Sequence, residues 1–316
     1  MTKLPLLVVG GPTASGKTGL SIALAKALDG EIVCADSMQV YKGMEIGTAA
    51  PTPKEREGIP HHLFGFLEPE ENFSVAGYLA LAGKAIREIA GRGRLPILCG
   101  GTGLYISSLI DGVAFDPAMG ESAEMRAELR ALAQEKGPEH LWGVLTGCDP
   151  DLAATLHPNN LGRVIRAIEV CKVSGVPMSE WQRRCKSAES PYRVLFFALN
   201  YTDRTRLYQR IGQRAEQMLE GGLLDEVKAM WGKELSGTAS QAIGYKEFSA
   251  YLKGEQTLEQ AAETLKRQTR RYAKRQLTWL RRDGRIHWLA PDAFESGQAL
   301  AEHALGLARD WLKETS

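Results

Sequence analysis

The chain has few of the residues that mark several functional classes. Its five cysteines, Cys34, Cys99, Cys148, Cys171 and Cys185, form no C-x-x-C and no paired spacing. That argues against a disulfide framework or a cysteine-bound zinc and suits a reducing cytoplasm. No run approaches the roughly 18 uninterrupted apolar residues of a membrane-spanning helix. No basic-then-apolar segment opens the sequence. Internal repeats, low-complexity tracts and obvious linkers are also missing. Charge of one sign is scarce, with a net of only +1, so a polyanion would have to meet a local patch. A soluble, cytoplasmic, monomeric protein without a membrane partner is expected. With 316 residues, 44% of them apolar, the chain can bury a substantial core.

Against that background one motif stands out. Gly11-Pro12-Thr13-Ala14-Ser15-Gly16-Lys17-Thr18 satisfies G-x-x-x-x-G-K-[ST] at every fixed position. A short apolar run, residues 4–9, precedes it and reads as a buried strand. Apolar residues at helical spacing follow it. Strand, glycine loop and helix form the context this phosphate-binding motif needs. Gly11 and Gly16 let the backbone curl so that successive N–H groups point inward, and the helix N-terminus adds partial positive charge. Lys17 can lie along phosphate oxygens, and the Thr18 hydroxyl can take a Mg²⁺ ligand position.

Residues 31–35 read as a second strand ending at Asp36. Residues just past the carboxyl end of a strand in an open parallel sheet face the ligand crevice. Asp36 could cap a helix, bind Mg²⁺ through water, or act as a general base, and the base reading is favoured. Residues 42–75, punctuated by glycine and proline, are expected to be an irregular surface excursion. The adjacent His61 and His62 within it suit a structural role better than a shared metal. A helix capped by Ser74 leads to a third strand at 95–99. The glycine loop Gly100-Gly101-Thr102-Gly103 follows at once, with Thr102 its lone polar side chain and a candidate substrate contact.

Residues 113–189 contain helical patterns and no convincing strand, so they read as a helical insertion contacting a partner. There Asn159 and Asn160 break the chain before a helix from which Arg163 and Arg166 project. A strand at 192–199 then returns the chain to the α/β core, assigned to 1–112 and 190–316. Asp203 is the expected cap of the next helix. Its Arg204 and Arg210 lie about 240° apart around the axis. Residues 241–246 form a polar, glycine and aromatic knot. Between residues 266 and 282 stand eight basic side chains and no acid, which reads as a polyanion footprint. A last strand at 285–289 and a terminal helix follow. The expected fold is an α/β P-loop domain, its mostly parallel sheet of about five strands flanked by helices, with a helical insertion.

These parts exclude a GTPase switch, because there is no N-K-x-D and no Asp-x-x-Gly after the third strand. A small-molecule kinase and a nucleotide-gated tRNA-binding protein remain as alternatives. The sequence, however, closely resembles the tRNA dimethylallyltransferases. The likeness covers almost the whole chain. It rests on the P-loop, on Asp36-Ser37-Met38-Gln39-Val40-Tyr41, on Pro60-His61-His62-Leu63, and on residues 95–105. It continues through residues 163–170, Gln241-Ala242-Ile243-Gly244-Tyr245-Lys246, and Arg271-Tyr272-Ala273-Lys274-Arg275-Gln276.

The resemblance implies transfer of a dimethylallyl group from dimethylallyl diphosphate to N6 of adenine 37 beside a tRNA anticodon. The P-loop residues Gly11, Pro12, Thr13, Ala14, Ser15, Gly16, Lys17 and Thr18 would hold the diphosphate, or a nucleotide such as ATP, with Arg204 and Arg210. Mg²⁺ would sit on Thr18 and, through water, on Asp36. Asp36 would be the base, assisted by Lys17 and Thr102. Ser37, Met38, Gln39, Asn159, Asn160, Arg163, Gln241, Gly244, Tyr245 and Lys246 are expected to contact tRNA, as are Arg267, Arg271, Lys274 and Arg275. The likeness departs at Leu161-Gly162, where family members carry a polar residue. It also lacks the eukaryotic C-terminal zinc finger, which matches the short bacterial form.

Overall fold

The computed structural model describes residues 3–113, 122–186 and 189–314. Positions 114–121, 187 and 188 of the expected insertion lie outside the described residues. The chain forms two compact units, Met1–Ile110 with Pro191–Ser316, and Asp111–Ser190.

The first unit is built on six strands: β1 (Leu4–Gly10), β2 (Gly30–Ala35), β3 (His61–His62), β4 (Leu95–Gly100), β5 (Tyr192–Leu199) and β6 (Ile286–Leu289). Their order is β3-β2-β4-β1-β5-β6, and every pairing is parallel. Alternate side chains leave opposite faces of a strand, and both faces here are covered, so the strands read as continuous apolar runs. Leu6, Val8 and Val33 pack with Tyr78, Ile86 and Ile106 on one face. Leu7, Val9 and Ile32 pack with Leu20, Leu24 and Leu300 on the other. A separate apolar cluster joins Tyr41 and Met44 to Leu223, Phe248 and Leu265.

Local signals set the helix starts. The Ser74 hydroxyl accepts from the Gly77 amide, and the Asp203 carboxylate accepts from the Thr205 amide. A reciprocal Thr257–Gln260 capping box opens the long basic helix, Leu258–Leu280. The region expected to be irregular contains the Pro53–Arg56 helix and β3, an edge strand two residues long. Nothing so short shows a period in sequence; it exists because His61 and His62 pair with Ile32 and Val33.

In the second unit, helices surround Leu141, Leu145, Val164 and Ile168. Glu169 is fully buried there and accepts from Arg126, Arg166 and the Ser122 amide. Arg166 therefore faces inward rather than projecting as expected. Pro138–Cys148 is a helix whose glycines, Gly143 and Gly147, disguise it. Trp181, expected at a helix end, lies inside Met178–Lys186.

One ionic cluster pins β3. Glu31, 3% exposed, accepts from His62 at 2.6 Å, Arg92 at 2.7 Å and Arg94 at 3.3 Å. Burial alone would raise its pKa, but the hydrogen bonds from His62 and Arg92 win and hold it below the ordinary 4.5. The stabilisation is thus complete above pH 4.5 and lost as the pH falls through the lower folded value. Glu31→Ala is expected to cost about 2 kcal/mol, since it strands partly hydrated cations. Glu31→Gln should lose less stability than wild type between about pH 5 and about pH 3, read from urea midpoints.

Candidate active site

Three neighbouring strands end level with one another. Gly10 of β1 pairs with Gly100 of β4, and Gly100 pairs with Ala35 of β2. The P-loop, Asp36 and the Gly101–Thr102 turn therefore leave the sheet side by side, at the edge where parallel α/β folds bind ligands.

The P-loop adopts the expected curl. Gly11 has φ +150°, and a Cβ there would lie 2.7 Å from the Ser15 hydroxyl and 3.2 Å from the Leu199 carbonyl. Gly16, at φ +94°, precedes the Lys17–Ala27 helix. The Lys17 ammonium donates to the Pro12 carbonyl at 3.4 Å. Burial pulls its pKa down, and the nearby Asp36 carboxylate opposes that fall.

Asp36 Oδ1 accepts from the Met38 amide at 3.0 Å, which leaves Oδ2 without a hydrogen-bond partner among the described residues. Thr102 locks the two acceptor-side loops together. Its amide donates to the Ala35 carbonyl at 3.0 Å, and its hydroxyl accepts from the Ser37 amide at 2.9 Å and reaches Ser37 Oγ at 3.3 Å. Gln39 is turned to structural work: its amide donates to the Thr48 and Ala49 carbonyls.

A cavity of about 310 Å³ opens here, lined by Lys17, Thr18, Asp36, Ser37 and Tyr272 together with the apolar Ile211, Met218 and Leu265. A second cavity of about 260 Å³ shares Ala14, Lys17 and Thr18 and is flanked by Arg210 and Arg214. Lys17, Thr18 and Arg214 line both. The P-loop, cationic side chains and a carboxylate thus line two cavities that share Ala14, Lys17, Thr18 and Arg214, the larger one partly apolar.

The arginines fall differently from expectation. Arg210 Nε donates to the Ala14 carbonyl at 3.0 Å, but Arg204 stands exposed in the first turn with no contact to the loop among the described residues. Arg214, one turn beyond Arg210, lines both cavities instead and donates to the Ala49 carbonyl at 3.1 Å. Burial lowers its pKa. The i, i+4 spacing of 210 and 214 was the available signal.

The second glycine loop is tight because the basic helix lies on it. A Cβ on Gly101 would meet Gln276 at 2.2 Å, and one on Gly103 would meet Trp279 at 2.0 Å. Gln276 is itself a residue that motif reasoning passed over. On the same helix Arg267, Arg271, Lys274 and Arg275 are exposed, and Arg275 also lines the larger cavity. Lys266 is spent on Glu216 and Glu263.

Gln241 and Lys246 are exposed and line the larger cavity. Tyr245 and Gly244, expected at tRNA, are buried. The Tyr245 hydroxyl donates to Glu226 at 2.6 Å, and the same carboxylate accepts from the Ile46 and Gly47 amides. Both residues shape the wall from within. Gly244 has φ +109°, a conformation that favours glycine. In the second unit, Asn159, Asn160 and Arg163 are exposed around the start of the Leu161–Ser174 helix.

Known proteins resemble this chain in sequence and fold. Residues 39–283 match the family model described as IPP transferase, and residues 4–63 match that described as isopentenyl transferase. The tRNA dimethylallyltransferase of Carboxydothermus hydrogenoformans is 48% identical over 305 residues, 94% of each chain. That of Bacillus subtilis is 48% identical over 293 residues, 91% of each chain. The crystal structure of the full-length tRNA isopentenylpyrophosphate transferase of Bacillus halodurans gives a TM-score of 0.73 at 42% identity, covering 99% of this chain and 98% of that one. A eukaryotic dimethylallyltransferase acting on tRNA gives 0.85 at 31% identity, covering 98% of this chain and 80% of that one. With its P-loop fold and its sequence matched over nearly their whole extent, the chain belongs to the tRNA dimethylallyltransferase family.

Proposed function

We propose that this chain transfers the dimethylallyl group of dimethylallyl diphosphate to N6 of adenine 37 in tRNA, forming N6-dimethylallyladenosine. One observation carries the reading: in a member of this family, the P-loop Lys17, Arg214 and the Asp36 carboxylate line a single cavity. The P-loop N–H groups, Lys17, Arg210 and Arg214 suit the diphosphate. Arg214 thereby takes the place expected for Arg204.

The chemistry follows from what faces what. The N6 lone pair forms a bond to the allylic carbon while that carbon's bond to the diphosphate oxygen breaks, and the electron pair leaves with the diphosphate. A neutral exocyclic amine is a poor acid, so its proton departs during attack and passes to Asp36. Lys17 and the loop amides stabilise the charge that grows on the leaving oxygen. Thr102 holds the Asp36–Ser37 turn in register with the glycine loop. The adenine cannot react inside a stacked loop, so it must be flipped into the cavity.

Thr18 and, through water, Asp36 suit Mg²⁺, which favours oxygen ligands, few of them from protein, and shares the rest with phosphate and water. No cluster of three or more histidine, cysteine or acidic side chains competes among the described residues. When bound there, Mg²⁺ would supply charge neutralisation on the diphosphate.

Incubation with Mg²⁺, dimethylallyl diphosphate and an unmodified tRNA carrying adenines at 36–38, followed by digestion and mass analysis, should yield an adenosine heavier by one dimethylallyl group. Unchanged adenosine with intact tRNA binding would overturn the proposal. Asp36→Ala is expected to lower kcat by about 10²- to 10⁴-fold while tRNA affinity stays within about threefold. The exposed basic ridge gives a separate expectation. Arg271→Ala should weaken tRNA binding alike across sequences and reduce the slope of log K against log salt by about one. Lys266→Ala should leave that slope unchanged, because Lys266 is already paired.

A further inference from the structure

Gln276 joins the two halves of the site through one side-chain amide. It is 5% exposed. Its Oε1 accepts from the Thr13 amide at 2.9 Å, and its Nε2 donates to the Gly101 carbonyl at 3.0 Å. The two loops lie far apart in sequence, and Gln276 sits on a third element, the Leu258–Leu280 helix.

That bond removes a phosphate donor from the P-loop. Thr13 lines the larger cavity with Asp36, as do Ala14, Lys17 and Thr18. Its N–H is taken by Gln276, and the Ser15 N–H is taken by the Pro12 carbonyl at 3.3 Å. The N–H groups of Ala14, Gly16, Lys17 and Thr18 carry no hydrogen-bond acceptor outside the helix among the described residues. They cluster at the start of the Lys17–Ala27 helix, where the dipole also favours anions. Two phosphates placed there exhaust these donors. A third, extending toward Asp36, would find the Gln276 carbonyl oxygen where the Thr13 N–H should be, and then a carboxylate. An alkyl carbon needs no donor at that point.

We infer that Gln276 is a specificity-determining and positioning residue that closes the P-loop to a third phosphate, so that the loop accepts an organic diphosphate and rejects a triphosphate. This rests on the reading that the P-loop holds the diphosphate. It accounts for a loop of nucleotide-binding type serving a substrate with only two phosphates. The same amide fixes the distance from the P-loop to the Thr102 turn, so leaving group and acceptor are held in one frame.

The test is calorimetric titration of inorganic diphosphate and inorganic tripolyphosphate, with Mg²⁺, into the full chain. Wild type should bind tripolyphosphate at least about tenfold more weakly than diphosphate, and in Gln276→Ala that ratio should fall to about one. A general loss of structure would weaken both anions together and leave the ratio unmoved. An unmoved ratio in a folded Gln276→Ala, or a wild type without preference, overturns the inference. Should the alanine variant fail to fold, Gln276→Asn withdraws the amide by one methylene and must shift the ratio in the same direction. Lys17→Ala separates the two claims. It should abolish binding of both anions, and retained diphosphate affinity would overturn the P-loop reading itself, whatever Gln276 does.

Discussion

The alignment of three strand ends is the constraint on which the site depends. Gly10, Gly100 and Ala35 occupy one rung of adjacent parallel strands. Each strand then releases a loop at the same height: the phosphate cradle, the glycine turn and the Asp36 segment. A one-residue slip would move a loop by about 3.3 Å and turn every buried side chain to the other face. Backbone hydrogen bonds and a core on both faces therefore fix the spacing from the P-loop to Asp36. Gly100 tightens it further, since a Cβ there would lie 2.1 Å from the Ala35 carbonyl oxygen.

The Leu258–Leu280 helix is the second organising element. Its inner face is apolar in three places: Leu265 in one cluster, Ala273 and Leu277 in another, and Leu280 against the sheet. Gln276 interrupts that face with the amide that grips both loops. Its outer face carries Arg267, Arg271 and Lys274 at i, i+4 and i+7, one stripe of the helix. A polyanion held on that stripe is thus held by the same rigid rod that sets the catalytic loops. The coupling needs no moving part; the helix period alone separates the two duties.

Sequence reading reached whatever is local. The P-loop shows because its function resides in consecutive residues, and Asp36 shows because a strand end predicts where it faces. Ser74 and Asp203 are caps whose partners lie within three residues. What stayed hidden depends on contacts across the chain. Gln276 meets Thr13 from 263 positions away. Tyr245 looked like a surface aromatic until its hydroxyl and the Ile46–Gly47 amides converged on Glu226. Arg214, absent from the expected set, lines both cavities because of the side of its helix that faces the loop. Spacing gives the phase of a helix but not its rotation against a neighbour.

The pattern of cation partners makes this arrangement suited to an anion. Lys17, Arg210 and Arg214 donate to the backbone carbonyls of Pro12, Ala14 and Ala49, and none forms an ion pair among the described residues. Carbonyls satisfy donors without cancelling charge. Burial accordingly lowers the pKa of Lys17 and of Arg214; the Asp36 carboxylate works against the first shift, and the Glu55 and Asp36 carboxylates against the second. The half-buried Lys17 and Arg214 and the exposed Arg210 stand close enough to repel. The proposed diphosphate would add negative charge there and relieve that repulsion. In the proposed reaction that relief would grow as charge concentrates on the leaving oxygen. Cations satisfied by carbonyls rather than carboxylates are thus the common basis of anion binding and of the stabilisation proposed for the leaving oxygen.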